Sequence, residues 1–176
     1  MKKIKTVMAG AIAMALVSFG ANAAENQGQG VVNFKGTVID APCGIDSDSV
    51  DQTVDFGKVT KSHLANGGIS QKNFSILLTH CYPSTLNKGV AVTFTGSTVN
   101  GAPTELATAG PTNTAIVING HGGDITFGTA TDFIQLPSGD NTSFPLNFEA
   151  MLKQATGKAV AEGDFTAVAN FSLSYE

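Results

Sequence analysis

The chain has no Arg, no Trp, two Cys and only 14% charged residues in a length of 176. Each shortage excludes something. All ten basic residues are Lys, against fourteen Asp plus Glu, so the chain lacks the cationic surface that phosphates or an anionic membrane demand. So few charges do not clothe the exposed faces of a helical bundle. Disorder is excluded from the other side, because 42% aliphatic and aromatic residues suffice for a packed core. The length fits one domain with at most a short arm. The two Cys and three scattered His (His63, His80, His121) show no zinc-ligand spacing. No metal and no cofactor are expected.

What is present begins with an address. Lys2, Lys3 and Lys5 precede an apolar run, Val7 to Phe19, whose thirteen residues are too short to span a bilayer comfortably. Ala21-Asn22-Ala23 has the form of a cleavage site. Residues 1–23 are therefore expected to be a cleaved signal peptide, with the mature chain starting at Ala24. That chain keeps seven Lys against fourteen acidic residues, a net charge of −7. Export to an oxidising compartment makes a Cys43–Cys81 disulfide the default. Closing a loop of about 39 residues stabilises a fold by roughly 4 kcal/mol in the chain-entropy account.

The periodicity is that of strands. Alternating or continuously apolar runs occur at Val31–Val38, Val50–Phe56, Asn73–Thr79, Gly89–Thr95, Ala115–Asn119, Phe144–Leu152 and Asp164–Tyr175. Asn66-Gly67, Asn100-Gly101 and Asn119-Gly120 supply turn chemistry, and prolines punctuate the rest. A short helical turn fits between Lys58 and Ala65. About seven short strands separated by turn signals read as an antiparallel, all-β sandwich.

The two ends are unusual. Phe165, Ala167, Ala169, Phe171, Leu173 and Tyr175 share one strand phase, and Thr166, Val168, Asn170, Ser172 and Ser174 the other. An apolar face of six positions belongs in a core, yet the sequence ends one residue later, leaving nothing to form a neighbouring strand. At the other end a polar stretch, Ala24 to Gly30, runs into Val32 and Phe34. Gly28, Gly30, Val32 and Phe34 share a phase and suit a strand laid in a groove. Two readings fit the residues: a protected last strand with a disordered N-terminus, or strand exchange between chains by β-augmentation.

A family resemblance favours the second. The opening Phe34-Lys35-Gly36-Thr37-Val38-Ile39-Asp40-Ala41-Pro42-Cys43, then Asp55-Phe56-Gly57 and Cys81, resembles pilins assembled by the chaperone–usher pathway. Gly163, fourteenth from the end, and the penultimate Tyr175 resemble their C-terminal motif. Asn100-Gly101, Thr114 to Val117 and Glu162 to Phe171 look most like the rod subunits of P-type pili. The resemblance implies an incomplete immunoglobulin-like β-sandwich lacking its last strand and completed by a donor strand from another chain. It implies a donor-strand extension at 24–35 carrying Gly28, Gly30, Val32 and Phe34, and a pilin domain at 36–176. It implies an acceptor groove edged by Phe165, Ala167, Ala169, Phe171 and Leu173, with Gly163 and Tyr175 on the surface read by partners. Those partners are neighbouring subunits in a head-to-tail homopolymer, a periplasmic chaperone and an outer-membrane usher. The expected destination is a fimbria on the cell surface, reached through the periplasm.

Other functions have weaker support. No G-x-S-x-G context accompanies the serines, and the carboxylates are scattered, so no catalytic set is expected. Gly120-His121-Gly122-Gly123 lacks the Lys-Ser/Thr of a phosphate loop. Asn141-Thr142-Ser143 fits a glycosylation pattern that a bacterial setting makes incidental. A tip adhesin needs a second domain for which there is no length. A minor adaptor or terminator of the same kind of fibre, or an exported β-sandwich binding domain, are the alternatives.

Overall fold

The computed structural model describes residues 30–176; the expected signal peptide and Gly28 lie outside them. Two units are separable, one ending at Val38 and one spanning Ile39–Glu176. In the first, residues 30–38 form no helix or strand, and Val31, Val32, Phe34 and Val38 are exposed.

The second unit is built almost wholly of antiparallel strands: β1 (Gly44–Ile45), β2 (Ser70–Cys81), β3 (Val90–Thr95), β4 (Thr98–Val99), β5 (Ala102–Ala107), β6 (Thr114–Gly120), β7 (Gly123–Asp124), β8 (Thr142–Gln154) and β9 (Asn170–Tyr175). Two short helices, α1 (Ser47–Val50) and α2 (Lys61–Ala65), sit in the connection between β1 and β2. One sheet runs β1-β2-β8-β6-β5-β4, with β7 beside β6; the other, among the described residues, pairs β3 with β9. The all-β expectation is met.

The longest pairing, β2 with β8, runs from Ser70 opposite Leu152 to Leu78 opposite Phe144, then slips so that Cys81 faces Thr142. Ile76 and Leu78 of β2, Leu146 and Leu152 of β8, and Val90 and Val92 of β3 are fully buried. Each such side chain contributes about 1.5–3 kcal/mol relative to exposure. Phe148 stacks on Phe74 at 5.5 Å and meets Phe94 edge-on at 5.1 Å, which ties the two sheets together. Pro145 sits inside β8, where β8 pairs with β2 and the β6 pairing has not yet begun. One side of the strand is therefore free to tolerate a missing N–H.

The strand-like run Val31–Val38 thus forms no strand in the first unit, and in the second three local expectations differ from what is observed. Val50–Phe56 is not a strand: Val50 ends α1, and the residues after it pair with nothing. The Gln52 side chain ties the run to β2, donating to the Ser75 carbonyl at 3.2 Å, and carboxylates bond the backbone just outside it. Asp46 accepts from the Asp48 N–H at 3.0 Å, and Asp55 accepts from the Gly57 N–H at 2.8 Å. The alternation still registers as burial, since Val54 is half-buried and Phe56 buried. The turn expected at Asn119-Gly120 falls two residues later, at His121 (φ 50°) and Gly122 (φ 112°). Gly120 stays in β6, where a Cβ would come within 2.5 Å of the Phe148 ring. The tail is a strand only from Asn170; ahead of it the extended chain is held by one bridge, Ala109 to Thr166.

Candidate functional site: an open apolar edge

The strand β9 pairs with β3 in a register that sets Val90 opposite Tyr175, Val92 opposite Leu173 and Phe94 opposite Phe171. The phase of this ladder follows from the bonds around it. Gly89 and Glu176 exchange main-chain hydrogen bonds at 3.0 and 3.1 Å. Val90 exchanges two with Ile134, the Val92 carbonyl accepts from Thr131, and the Phe94 carbonyl accepts from Gly128. Val90, Val92 and Phe94 thus turn their main-chain groups to the 128–134 segment. Their opposites Tyr175, Leu173 and Phe171 turn theirs away from β3, because opposed antiparallel residues alternate between bonded and non-bonded pairs.

The same edge is open further back. Thr166 exchanges main-chain bonds with Ala109 at 2.8 and 3.1 Å, whereas Phe165, Ala167 and Ala169 make no main-chain hydrogen bond among the described residues. A row of unpaired N–H and C=O groups therefore follows Phe165, Ala167, Ala169, Phe171, Leu173 and Tyr175.

Their side chains are equally incomplete in contact. All six are half-buried and none is buried, although each packs on a core cluster. Phe171 lies 6.3 Å from Phe94, and Phe165 lies 6.2 Å from Phe56, ring centre to ring centre. The same clusters receive half-buried apolar side chains from the other end of the unit: Ile45 for one, Val54 and Val59 for the other. Buried cores on either side of this strip are 0–9% exposed. The strip is apolar, aligned with a free strand edge, and only half covered.

The end of β9 is pinned. The Lys88 ammonium reaches the Glu176 side chain at 2.6 Å, and the Lys88 and Gly89 N–H groups donate to the Glu176 carbonyl. The Tyr175 hydroxyl is buried without a hydrogen-bond partner among the described residues, and burial pushes its pKa up. Gly163 lies away from this end, exposed and at φ 140°, where a Cβ would approach Pro111 to 2.5 Å. It serves the close passage that delivers the chain to the open edge.

Cys43 and Cys81 are bonded to each other and buried. Together with the Tyr82 N–H donating to Pro42 at 2.8 Å, they clamp the start of β1 to the end of β2. Among the described residues no three His, Cys, Asp or Glu side chains converge as a metal site.

Two features of the unit carry no mark in the sequence. Lys88 is an ordinary loop lysine until the register is known; its place two residues before Val90 then puts it opposite the end of β9. The buried Glu105, on β5, accepts from Lys153 at 2.7 Å and from the N–H and hydroxyl of Thr156 at 2.9 and 2.6 Å. A lone Glu in Pro-Thr-Glu-Leu gives no sign of burial.

Comparison with known proteins supplies a context. The Fimbrial protein family matches residues 32–176. The KS71A fimbrillin of Escherichia coli is 48% identical over 189 aligned positions, covering 98% of this chain and all of the relative. A chain in the structure of a chaperone–usher pilus superposes with a TM-score of 0.79 at 42% identity, covering 85% of this chain and 97% of that one. The P pilus rod subunit PapA superposes with a TM-score of 0.71 at 39% identity, covering 77% of this chain and 100% of that one.

Proposed function

The chain belongs to the fimbrial protein family, and from that premise we propose that it is the repeating structural subunit of a surface fimbria, joined to its neighbours by donor-strand exchange. The fold is the incomplete immunoglobulin-like sandwich of pilins, as the match to the rod subunit indicates. The observation that carries the proposal is the open edge itself. Six apolar side chains rest half-covered on the core, along a main-chain edge that nothing among the described residues pairs.

An exposed apolar edge of this kind associates with any available strand. The segment 24–35 of another copy suits it. Gly28, Gly30, Val32 and Phe34 share one strand phase, and Val32 and Phe34 are 73% and 91% exposed. Laid beside β9, the arm receives main-chain hydrogen bonds from Phe171, Leu173 and Tyr175. Its alternate side chains complete the half-covered clusters, as in β-augmentation. Gly30 falls at the position where the family's arm needs a residue without a side chain. Burying Val32 and Phe34 contributes about 1.5–3 kcal/mol each. The contact joins a front surface of one copy to a rear surface of the next, and a heterologous contact that does not close propagates as a fibre.

The route to the fibre follows from the family. The signal peptide at 1–23 takes the chain to the periplasm, a chaperone strand covers the open edge there, and an outer-membrane usher exchanges it for the arm of the next subunit. Completion of each core supplies the driving force. No catalytic role, nucleotide or metal enters this scheme.

Thermal unfolding of the chain lacking 24–35, with and without a peptide of that segment, tests the reading. Incubation must be long, because strand insertion into a formed sandwich is slow. The expected result is a large rise in melting temperature with one peptide bound per chain. A truncated chain that is already stable and binds no peptide defeats the proposal.

A further inference from the structure

The three Asn-Gly pairs differ in a way that the assembly role does not use. Asn followed by Gly is the least hindered setting for attack of a backbone nitrogen on the Asn side-chain carbonyl, and Asn is among the thermolabile residues. The fold treats the three pairs differently.

Asn66 ends α2. Its side-chain amide donates to the Ser62 carbonyl at 2.7 Å, and the Gly67 N–H, whose nitrogen is the attacking atom, donates to the Leu64 carbonyl at 3.1 Å. Asn119 is a strand residue paired with Glu149 on one side and Asp124 on the other, and its side-chain amide donates to the Asp124 carboxylate at 2.9 Å. Gly120 continues that strand opposite Gly123.

Asn100 is under neither restraint. Asn100 and Gly101 form the two-residue turn between β4 and β5, with Val99 opposite Ala102. Both are exposed. Among the described residues neither the Asn100 side chain nor the Gly101 N–H makes a hydrogen bond to the protein. Gly101 stands at φ 77°, and apart from its chain neighbours no atom lies within 4 Å of the place a Cβ would take. The nucleophile, the carbonyl and the space for a ring are all available.

We propose that Asn100 is a site of spontaneous amide hydrolysis, a modification that the chain undergoes with water as its only co-reactant. The Gly101 nitrogen loses its proton to solvent and bonds to Cγ of Asn100. The Cγ–Nδ2 bond breaks, and the amide nitrogen leaves as ammonia after taking up a proton. Water then opens the resulting five-membered imide at either carbonyl, leaving an aspartyl residue in normal linkage or its isoaspartyl isomer. The net change is Asn plus water to Asp plus ammonia, with no oxidation or reduction.

Two consequences follow. Each converted copy gains one negative charge on an exposed turn. The isoaspartyl product also adds a backbone carbon to a two-residue hairpin, which disturbs the register of β4, the edge strand of the large sheet. In a polymer of identical copies both changes accumulate with age.

The test is incubation of the purified full chain in mildly alkaline heavy-oxygen water, beside the same chain in denaturant. Mass spectrometry follows the peptides carrying Asn66, Asn100 and Asn119. In the folded chain Asn100 is expected to convert roughly tenfold faster than the other two, the factor set by about one hydrogen bond that must first open. In denaturant the three rates converge, since each Asn precedes Gly. Asn100→Gln removes the fast conversion and leaves the other two sites unchanged. A rate at Asn100 in the folded chain no higher than at Asn66 or Asn119 overturns the proposal.

Discussion

Gly30 and Glu105 show how single residues act at opposite ends of the legibility range. Gly30 shares a strand phase with Gly28, Val32 and Phe34, the family resemblance singles it out, and its proposed role is to pass where a side chain does not fit. Gly30→Leu is expected to abolish polymerisation while the subunit still folds, as seen by electron microscopy of fibres against circular dichroism of the monomer. Normal fibres would remove Gly30 from the assigned register. Glu105 has no mark in the sequence. Burial raises its pKa, but the bonds from Lys153 and Thr156 outweigh burial and hold the carboxyl below its usual 4.5. The folded carboxyl thus binds its proton less tightly than the unfolded one, so its contribution is complete above pH 4.5 and fades as the pH falls toward the folded value. His121 has the same sign at a higher pH, because burial alone lowers its pKa from 6.5. Its neutral ring lies edge-on to Phe148 at 5.2 Å. Stability measured by urea denaturation is expected to fall first below pH 6.5 and again below pH 4.5. His121→Gln should remove the first step. Glu105→Gln should remove the second and cost about 2 kcal/mol at neutral pH, the worth of a charge-assisted hydrogen bond. A pH profile unaltered by either change would contradict these assignments.

At the scale of the element, β9 and the extended chain leading into it divide into two rows with different duties. The odd row, Phe165 to Tyr175, faces core and open edge; the even row is exposed. Leu173→Ala is expected to weaken binding of the 24–35 peptide tenfold or more, losing about 2 kcal/mol of apolar contact. Ser172→Ala should stay within about 0.5 kcal/mol of the parent, as exposed substitutions do. Titration calorimetry with the peptide distinguishes the rows, and equal effects would dissolve the proposed face. The run Val50–Phe56 carries the complementary lesson. Its alternation is reproduced in the burial of Val54 and Phe56, yet no strand forms. Periodicity reports which side chains turn inward; a strand also needs a neighbour's main chain, and among the described residues none pairs with this run. The β5 strand is not legible in the sequence because Ala-Pro-Thr-Glu-Leu-Ala has neither alternation nor a continuous apolar centre.

For the whole molecule, an unfinished sandwich must hold together before any partner arrives, and the disulfide secures part of it. Replacing both cysteines, Cys43→Ser with Cys81→Ser, is expected to lower unfolding free energy by roughly 4 kcal/mol through the entropy of the opened loop. The loss should be measurable by denaturant titration of the chain with the 24–35 peptide bound. A midpoint unchanged by the double substitution would mean that the core alone fixes these strands. The peptide is then expected to complete what the covalent bond cannot, namely the half-covered strip on β9.

Composition, the two-cysteine pairing and the alternation of Phe165 to Tyr175 are properties of the linear chain, because residue type and period decide burial wherever an apolar face must leave water. The family motifs are linear as well. Only the tertiary structure decided that the edge of β9 is open. Which main-chain groups go unpaired depends on the β3 register and on the 128–134 segment taking the other side of β3. It also decided which of three identical Asn-Gly pairs is left unrestrained, since hydrogen bonds from distant or neighbouring groups are set by packing and not by the dipeptide.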